Sequence, residues 1–143
     1  FERDSTDALA AQLRDAGFNV DRRVIPGSTF WNDWASYPFS STTWNHRELG
    51  VMVLNLAYRS GVPWNETAYA SEEFDALLAE AMSLADVEER RAVMAKIETL
   101  LQEDGVVIQP YWRSIFRHYR PGVLGADQHP TFEHHHYKWA IEA

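Results

Sequence analysis

Residues 71–105 read SEEFDALLAEAMSLADVEERRAVMAKIETLLQEDG, and this stretch decides the fold because it carries two complete helix patterns in succession. Ser71 and Asp86 each stand where a side-chain oxygen can cap the first turn of a helix. Gly105 follows the second pattern, at a position where left-handed backbone commonly ends a helix. We therefore predict two helices that pack as an antiparallel pair, from Ser71 to Leu84 and from Asp86 to Asp104.

Each predicted helix carries an apolar stripe at helical spacing and a polar outer face. The charged run at residues 88–91 is interpreted as solvated helix surface. The stripe residues are Phe74, Leu77, Leu78 and Ala81 in the first helix and Val93, Ile97, Leu100 and Leu101 in the second.

Helix and strand patterns alternate upstream of this pair. Their order predicts an α/β fold with at least partly parallel strands, in which a small mixed sheet is flanked by helices. After the pair, the apolar run at residues 106–108 predicts a further strand, buried on both faces, that leads into Tyr111, Trp112 and Arg113. The upstream elements are a helix capped by Asp4, Ser5 or Thr6 and ended by Gly17, a strand at 18–25, a short helix capped by Ser28 or Thr29, a strand at 38–43 and a buried helix at 49–58.

Composition excludes several classes of protein. The chain has 143 residues, 45% of them hydrophobic, which is enough to bury a core. Its formal net charge is −8, and the basic residues are scattered, so neither nucleic acid nor an anionic membrane surface is an expected partner. The absence of cysteine excludes disulfides and thiolate chemistry.

The N-terminal residues Phe1 to Asp4 show no targeting signal, and the sequence contains no apolar run long enough to span a bilayer. The chain starts abruptly at a helix pattern. We therefore expect it to be a piece of a longer protein.

The stretch from Thr42 to Arg47 is the candidate ligand site. Trp44, Asn45, His46 and Arg47 follow a predicted strand, where loop residues commonly contact ligands. The alternative is that Trp44 belongs to the core and that Arg47 pairs with an acid such as Glu48 or Glu66.

Histidines 134 to 136 lie close in sequence to His129 and Glu133, and residues of these types could bind a divalent metal ion. Adjacent residues of an extended chain point to opposite sides, so the three cannot all face one ion. We therefore expect an exposed tail without a metal, and no cofactor.

The order of several segments resembles the C-terminal part of family 5 extracellular solute-binding proteins, the dipeptide, oligopeptide and nickel type of ABC importer receptor. The resemblance runs from about residue 6 to residue 125. It is carried by AQLRDAGFNV at 11–20, TTW at 42–44, ASEEFDALLAEA at 70–81, DVEERR at 86–91 and VVIQPYW at 106–112.

This resemblance implies a periplasmic or lipid-anchored extracytoplasmic receptor whose two lobes close around a ligand and deliver it to permease subunits. Residues 1–108 would belong to the second lobe of a type II-like fold, and residues 109–143 would form the hinge strand, near Gln109 to Arg113, and the C-terminal return toward the first lobe. Trp44 matches the family's cleft tryptophan, so the resemblance implies that it contacts the ligand. Trp64 and Trp112 are further candidates, for which core packing is an equal alternative.

The sequence departs from the peptide-binding members at one position. Those relatives place an aspartate three residues after the cleft tryptophan, to pair with the peptide's α-ammonium, whereas this chain has Arg47 there. The reversed charge favours an anionic or blocked ligand, or a peptide held in another pose.

Other functions remain open. One alternative is a small hydrolase that uses His46, although the sequence offers no nucleophile near it except Thr42 and Thr43, and we expect no enzyme. Another is a metal-binding receptor of the nickel type. If strands of the parent fold are missing, we also expect the isolated chain to self-associate through unpaired sheet edges.

Overall fold

The computed structural model describes residues 2–142 and has a mixed α/β architecture. Within that range there are five α-helices and one two-stranded antiparallel sheet. None of these helices is both long enough and apolar enough to cross a membrane. The elements are α1 Glu2–Asp15, α2 Gly27–Asp33, α3 Gly50–Ala57, α4 Glu72–Ser83, α5 Val87–Glu103, β1 Val123–Leu124 and β2 Ala140–Ile141, with 3-10 turns at Trp34–Ser36 and His136–Lys138.

Helices α4 and α5 form the predicted pair, and both caps are confirmed. The Ser71 hydroxyl accepts a hydrogen bond from the Phe74 amide, and the Asp86 carboxylate accepts from the amides of residues 88 and 89. Only three residues connect the two helices, so α5 runs back along α4. Gly105 has the expected positive φ of 63°.

The core lies where α3 packs on this pair. The predicted stripes supply most of it, and Phe74, Leu78 and Ile97 are its largest fully buried side chains. Helix α3 contributes Val51 and Ala57, but the rest of α3 is partly exposed, so the prediction of a helix buried all round is wrong.

Tyr58 closes the α3 side of this core and is 7% exposed. Burial raises the pKa of its hydroxyl to about 12, and the negative charge of Glu66 adds to the effect. Both influences disfavour the phenolate.

Helix α1 forms and ends as predicted, with Gly17 at a φ of 93°. Its predicted caps are wrong, because residues 4 to 6 lie inside the helix. The Thr6 hydroxyl instead donates back to the Glu2 carbonyl at 2.7 Å, a bond that serine and threonine side chains make within helices.

The short helix α2 also begins earlier than predicted. Pro26 stands at its N-cap with a φ of −58°, so Ser28 and Thr29 already lie inside the helix. Proline fixes a φ near this value and lacks an amide that would need a partner, which makes it suitable for a helix start.

The three predicted strands at residues 18–25, 38–43 and 106–108 are absent from the described chain. Among the described residues these segments pair with no other strand, and Phe18, Val24 and Ile108 are 63%, 65% and 49% exposed. A strand forms only where a second segment satisfies its backbone groups. Alternation along the sequence could not reveal whether such a neighbour exists.

The sheet lies near the C-terminus and is antiparallel, which corrects the prediction of a mixed sheet with partly parallel strands. Val123 pairs with Ile141 and Leu124 with Ala140. Among residues 2–142, neither strand contributes to the core that α3, α4 and α5 form. The helix pair therefore does not pack beside a sheet as predicted.

Candidate functional site

Trp44 lies in the middle of a row of four tryptophans. Its ring centroid is 6.0 Å from that of Trp34 and 6.1 Å from that of Trp64, and Trp31 is 5.8 Å beyond Trp34. We call Trp31, Trp34, Trp44 and Trp64 the tryptophan row. The rings meet at tilted angles of 54° to 62°, an arrangement that aromatic pairs favour over face-to-face stacking.

The row joins the protein core to the surface. Trp44 is half-buried and packs against the core of α3, α4 and α5. Trp31 and Trp64, at the two ends, are 53% and 48% exposed. Trp44 therefore touches the core and also belongs to a partly exposed aromatic surface, while its contact with a ligand stays a prediction.

Glu66 orients the central ring. Its Oε1 accepts a hydrogen bond of 2.8 Å from Trp44 Nε1, in a partly buried setting. A hydrogen bond to a charged acceptor is stronger than one between neutral groups, so it fixes the plane of the indole.

The loop that carries Trp64 and Glu66 is held by Asn65. The Asn65 amide donates to the carbonyls of Arg59 at 3.1 Å and Tyr69 at 2.8 Å, while its oxygen accepts from the backbone and hydroxyl of Thr67. These bonds tie both ends of the loop to one side chain.

Arg47 lies three residues after Trp44 and is half-buried. Its Nη1 donates to the carbonyls of Asn45 at 3.1 Å and His46 at 3.3 Å. The structure gives it no carboxylate partner within residues 2–142, so the alternative pairing with Glu48 or Glu66 is not observed. Glu66 instead pairs with Trp44.

The other predicted site residues differ in their placement. Asn45 and His46 are exposed beside Trp44, while their carbonyls orient Arg47. In the described part of the chain, no hydrogen bond joins His46 to Thr42 or Thr43. Trp112 is 88% exposed and has no ring contact with the tryptophan row over residues 2–142.

Sequence reasoning missed the role of Trp31, Trp34 and Glu66. The first two are three residues apart, the spacing that places side chains on one side of a helical turn. This spacing was visible in the sequence. The partnership of Glu66 with Trp44 was not, because 22 residues separate them.

Two clefts lie away from the tryptophan row. One of about 400 Å³ is lined by Asn55 of α3, by Arg59 in the loop that follows α3, and by residues of α4 that include Asp75. Asn55 Oδ1 is buried without a hydrogen-bond partner among the described residues. The other cleft, about 640 Å³, is lined by C-terminal residues that include Arg117, His134 and Trp139. None of the predicted ligand residues lines either cleft.

The three consecutive histidines at 134–136 differ in their exposure and in their contact partners. His134 and His136 are exposed as predicted, with His134 Nδ1 3.0 Å from an Arg117 nitrogen and the His136 ring 4.5 Å from that of Trp139. His135 is only 28% exposed in its side chain and lies 2.7 Å from a Glu133 oxygen. The prediction of an exposed tail is therefore wrong for His135.

The contact with His135 lowers the pKa of Glu133. The hydrogen bond from His135, together with the nearby charge of His129, holds the pKa of the Glu133 carboxyl below its usual range. Both interactions favour the carboxylate.

Comparison with known proteins identifies no relative: no family model matches the chain, and neither the curated proteins nor the solved structures contain a match. The resemblance to solute-binding proteins consequently rests on the sequence segments alone.

Proposed function

We propose that this chain is part of the solute-binding receptor of an ABC importer, and that it captures a small anionic or peptide-like ligand without chemical turnover. The observation that carries the proposal is the tryptophan row, followed three residues after Trp44 by a guanidinium that no carboxylate engages within residues 2–142. Aromatic faces bind a flat or apolar ligand body, and Arg47 attracts its negative group.

The remaining guanidinium atoms of Arg47 support this role. Only Nη1 has a hydrogen-bond partner among residues 2–142, and both bonds go to the adjacent backbone. These bonds orient the group while its positive charge stays available. An anion held by two parallel hydrogen bonds suits that geometry.

In this proposal residues 1–108 belong to the second lobe and residues 109–143 return toward the first. Large apolar side chains along this return are exposed, with Trp112 at 88% and Phe116 at 77%. A first lobe packed on them would cover this surface. Binding would proceed by closure of the lobes, driven by the higher affinity of the closed form for ligand, and the closed form would dock on permease subunits in the periplasm.

Native mass spectrometry of the full-length receptor, looking for a co-purified ligand, is the first experiment. Calorimetry then compares dialanine with N-acetyl-dialanine, which lacks the α-ammonium. At about 4 Å and an effective dielectric of about 20, ammonium and guanidinium repel by about 4 kcal/mol, on the order of a thousandfold in affinity. We expect the acetylated ligand to bind more tightly.

The substitution Arg47→Asp should reverse this preference, because the ammonium then meets a negative charge. Arg91→Asp, on the exposed face of α5, is the matched control and should leave the preference unchanged. An Arg47→Asp receptor with unaltered affinities for both ligands would eliminate Arg47 as the clamp. Turnover of either ligand would refute the assignment as a receptor without catalysis.

A further inference from the structure

The cluster of His129, Glu133 and His135 is separate from the tryptophan row. Each residue offers one ligand atom, and these atoms all lie within 4.8 Å of one another. The ring centroids of the two histidines are 5.0 Å apart. Two imidazoles and a carboxylate therefore converge on one small volume.

The local backbone explains this convergence. A turn brings the chain back after His129, whose carbonyl accepts from the Phe132 amide at 3.0 Å, and Phe132 adopts a φ of 63°. Glu133 and His135 are two residues apart, the spacing that places side chains on the same side of an extended segment. His134 consequently points elsewhere, toward Arg117.

Thr131 holds two members of the cluster in place. Its Oγ1 lies 2.9 Å from His129 Nδ1 and donates to Glu133 Oε1 at 3.3 Å. Residues that bind a metal are commonly oriented in this way by a second hydrogen-bonding group, which fixes the ring and the carboxylate before the ion arrives.

We propose that His129, Glu133 and His135 form a binding site for a divalent transition-metal ion of the zinc class. Two histidines and one carboxylate are a typical three-residue ligand set for Zn²⁺, with water in the fourth position. Ca²⁺ and Mg²⁺ prefer sites made of oxygen alone, so imidazole selects against them.

The distances fit such an ion after small side-chain rotations. With bonds of about 2.0–2.2 Å, tetrahedral ligand atoms are separated by about 3.4 Å. The pair formed by Glu133 and His135, now at 2.7 Å, has to open slightly, and the wider separations have to close. The ion takes the place of the hydrogen bond between Glu133 and His135, and the neutral His135 ring then carries its N–H on Nδ1.

Calorimetric titration of the chain with Zn²⁺ alone, after removal of any histidine affinity tag, tests the site. We expect one ion per chain, and we expect His135→Ala and Glu133→Gln each to weaken binding by at least about tenfold, since even outer residues of metal sites contribute this much. His136→Ala is the matched control, because it removes an adjacent histidine outside the cluster and should change the affinity little. Co²⁺ absorption in the visible region gives a second measurement, in which the bands of tetrahedral coordination should disappear in His135→Ala and persist in His136→Ala.

The alternative outcomes are distinct. Equal weakening by His135→Ala and His136→Ala would mean that the run binds metal as an unstructured tract, and it would overturn the proposed site. An absence of Zn²⁺ binding by the unmodified chain would also overturn it. The proposed capture of ligand by the tryptophan row does not depend on either result.

Discussion

Ile97→Ala tests whether packing between α3, α4 and α5 contributes strongly to the free energy of unfolding. Ile97 is completely buried between α3, α4 and α5. The substitution removes three buried carbon atoms, worth about 0.8 kcal/mol each, and leaves a cavity that packed neighbours fill only in part. We expect a loss of about 3 kcal/mol in the free energy of unfolding, a large fraction of the stability of a small domain.

Urea denaturation followed by far-ultraviolet circular dichroism measures this loss. With a slope of about 1–3 kcal/mol per molar urea, the midpoint should fall by about 1–3 M. Ile97→Val gives a graded second point at about 1 kcal/mol if the alanine variant does not fold. Glu98→Ala changes the next, exposed residue of α5 and should alter stability by no more than about 0.5 kcal/mol. If Ile97→Ala resembles this control, the core described above does not stabilise the protein.

Two further predictions concern other parts of the fold. Burial raises the pKa of Tyr58 to about 12 from 10.0. The contribution of the protonated hydroxyl to the free energy of unfolding is therefore complete below pH 10 and is lost as the pH rises through 12, by an amount that approaches about 2–3 kcal/mol. Urea titrations should show that Tyr58→Phe removes this part of the pH dependence. An unchanged alkaline slope in Tyr58→Phe would contradict the assignment. Gly125 has a φ of 71°, and an added Cβ would overlap the backbone carbonyl of Lys138, so Gly125→Ala should open the small sheet. Hydrogen exchange should then accelerate at the Glu142 amide, which donates to the Gly122 carbonyl at 2.8 Å, and retained protection would argue against the close approach.

The candidate site was only partly visible in the sequence. The motif from Trp44 to Arg47 was found because aromatic, amide and charged groups are adjacent there. The charge of Arg47 alone could not reveal its partners, since Glu48 and Glu66 were equally available in sequence terms. The structure showed that Glu66 binds the Trp44 indole and that Arg47 bonds to its own loop.

The sequence by itself determined the helices α4 and α5, their caps at Ser71 and Asp86, and the stripe that became the core. These features depend on contacts between residues three or four positions apart, and that spacing can be read from the sequence itself. The endings of helices at Gly17 and Gly105 were predictable for the same reason, because only glycine adopts their backbone conformation without strain.

Only the tertiary structure decided which extended segments became strands, which rings meet Trp44, and that His135 joins His129 and Glu133 while its two neighbours turn away. A strand at residues 18–25 or 106–108 requires a partner segment, and that requirement appears nowhere in the segment itself. The tryptophan row and the histidine cluster likewise depend on turns that bring separated residues together. Contacts between residues so far apart in sequence are fixed by the packing of the whole chain, and local sequence patterns do not predict them.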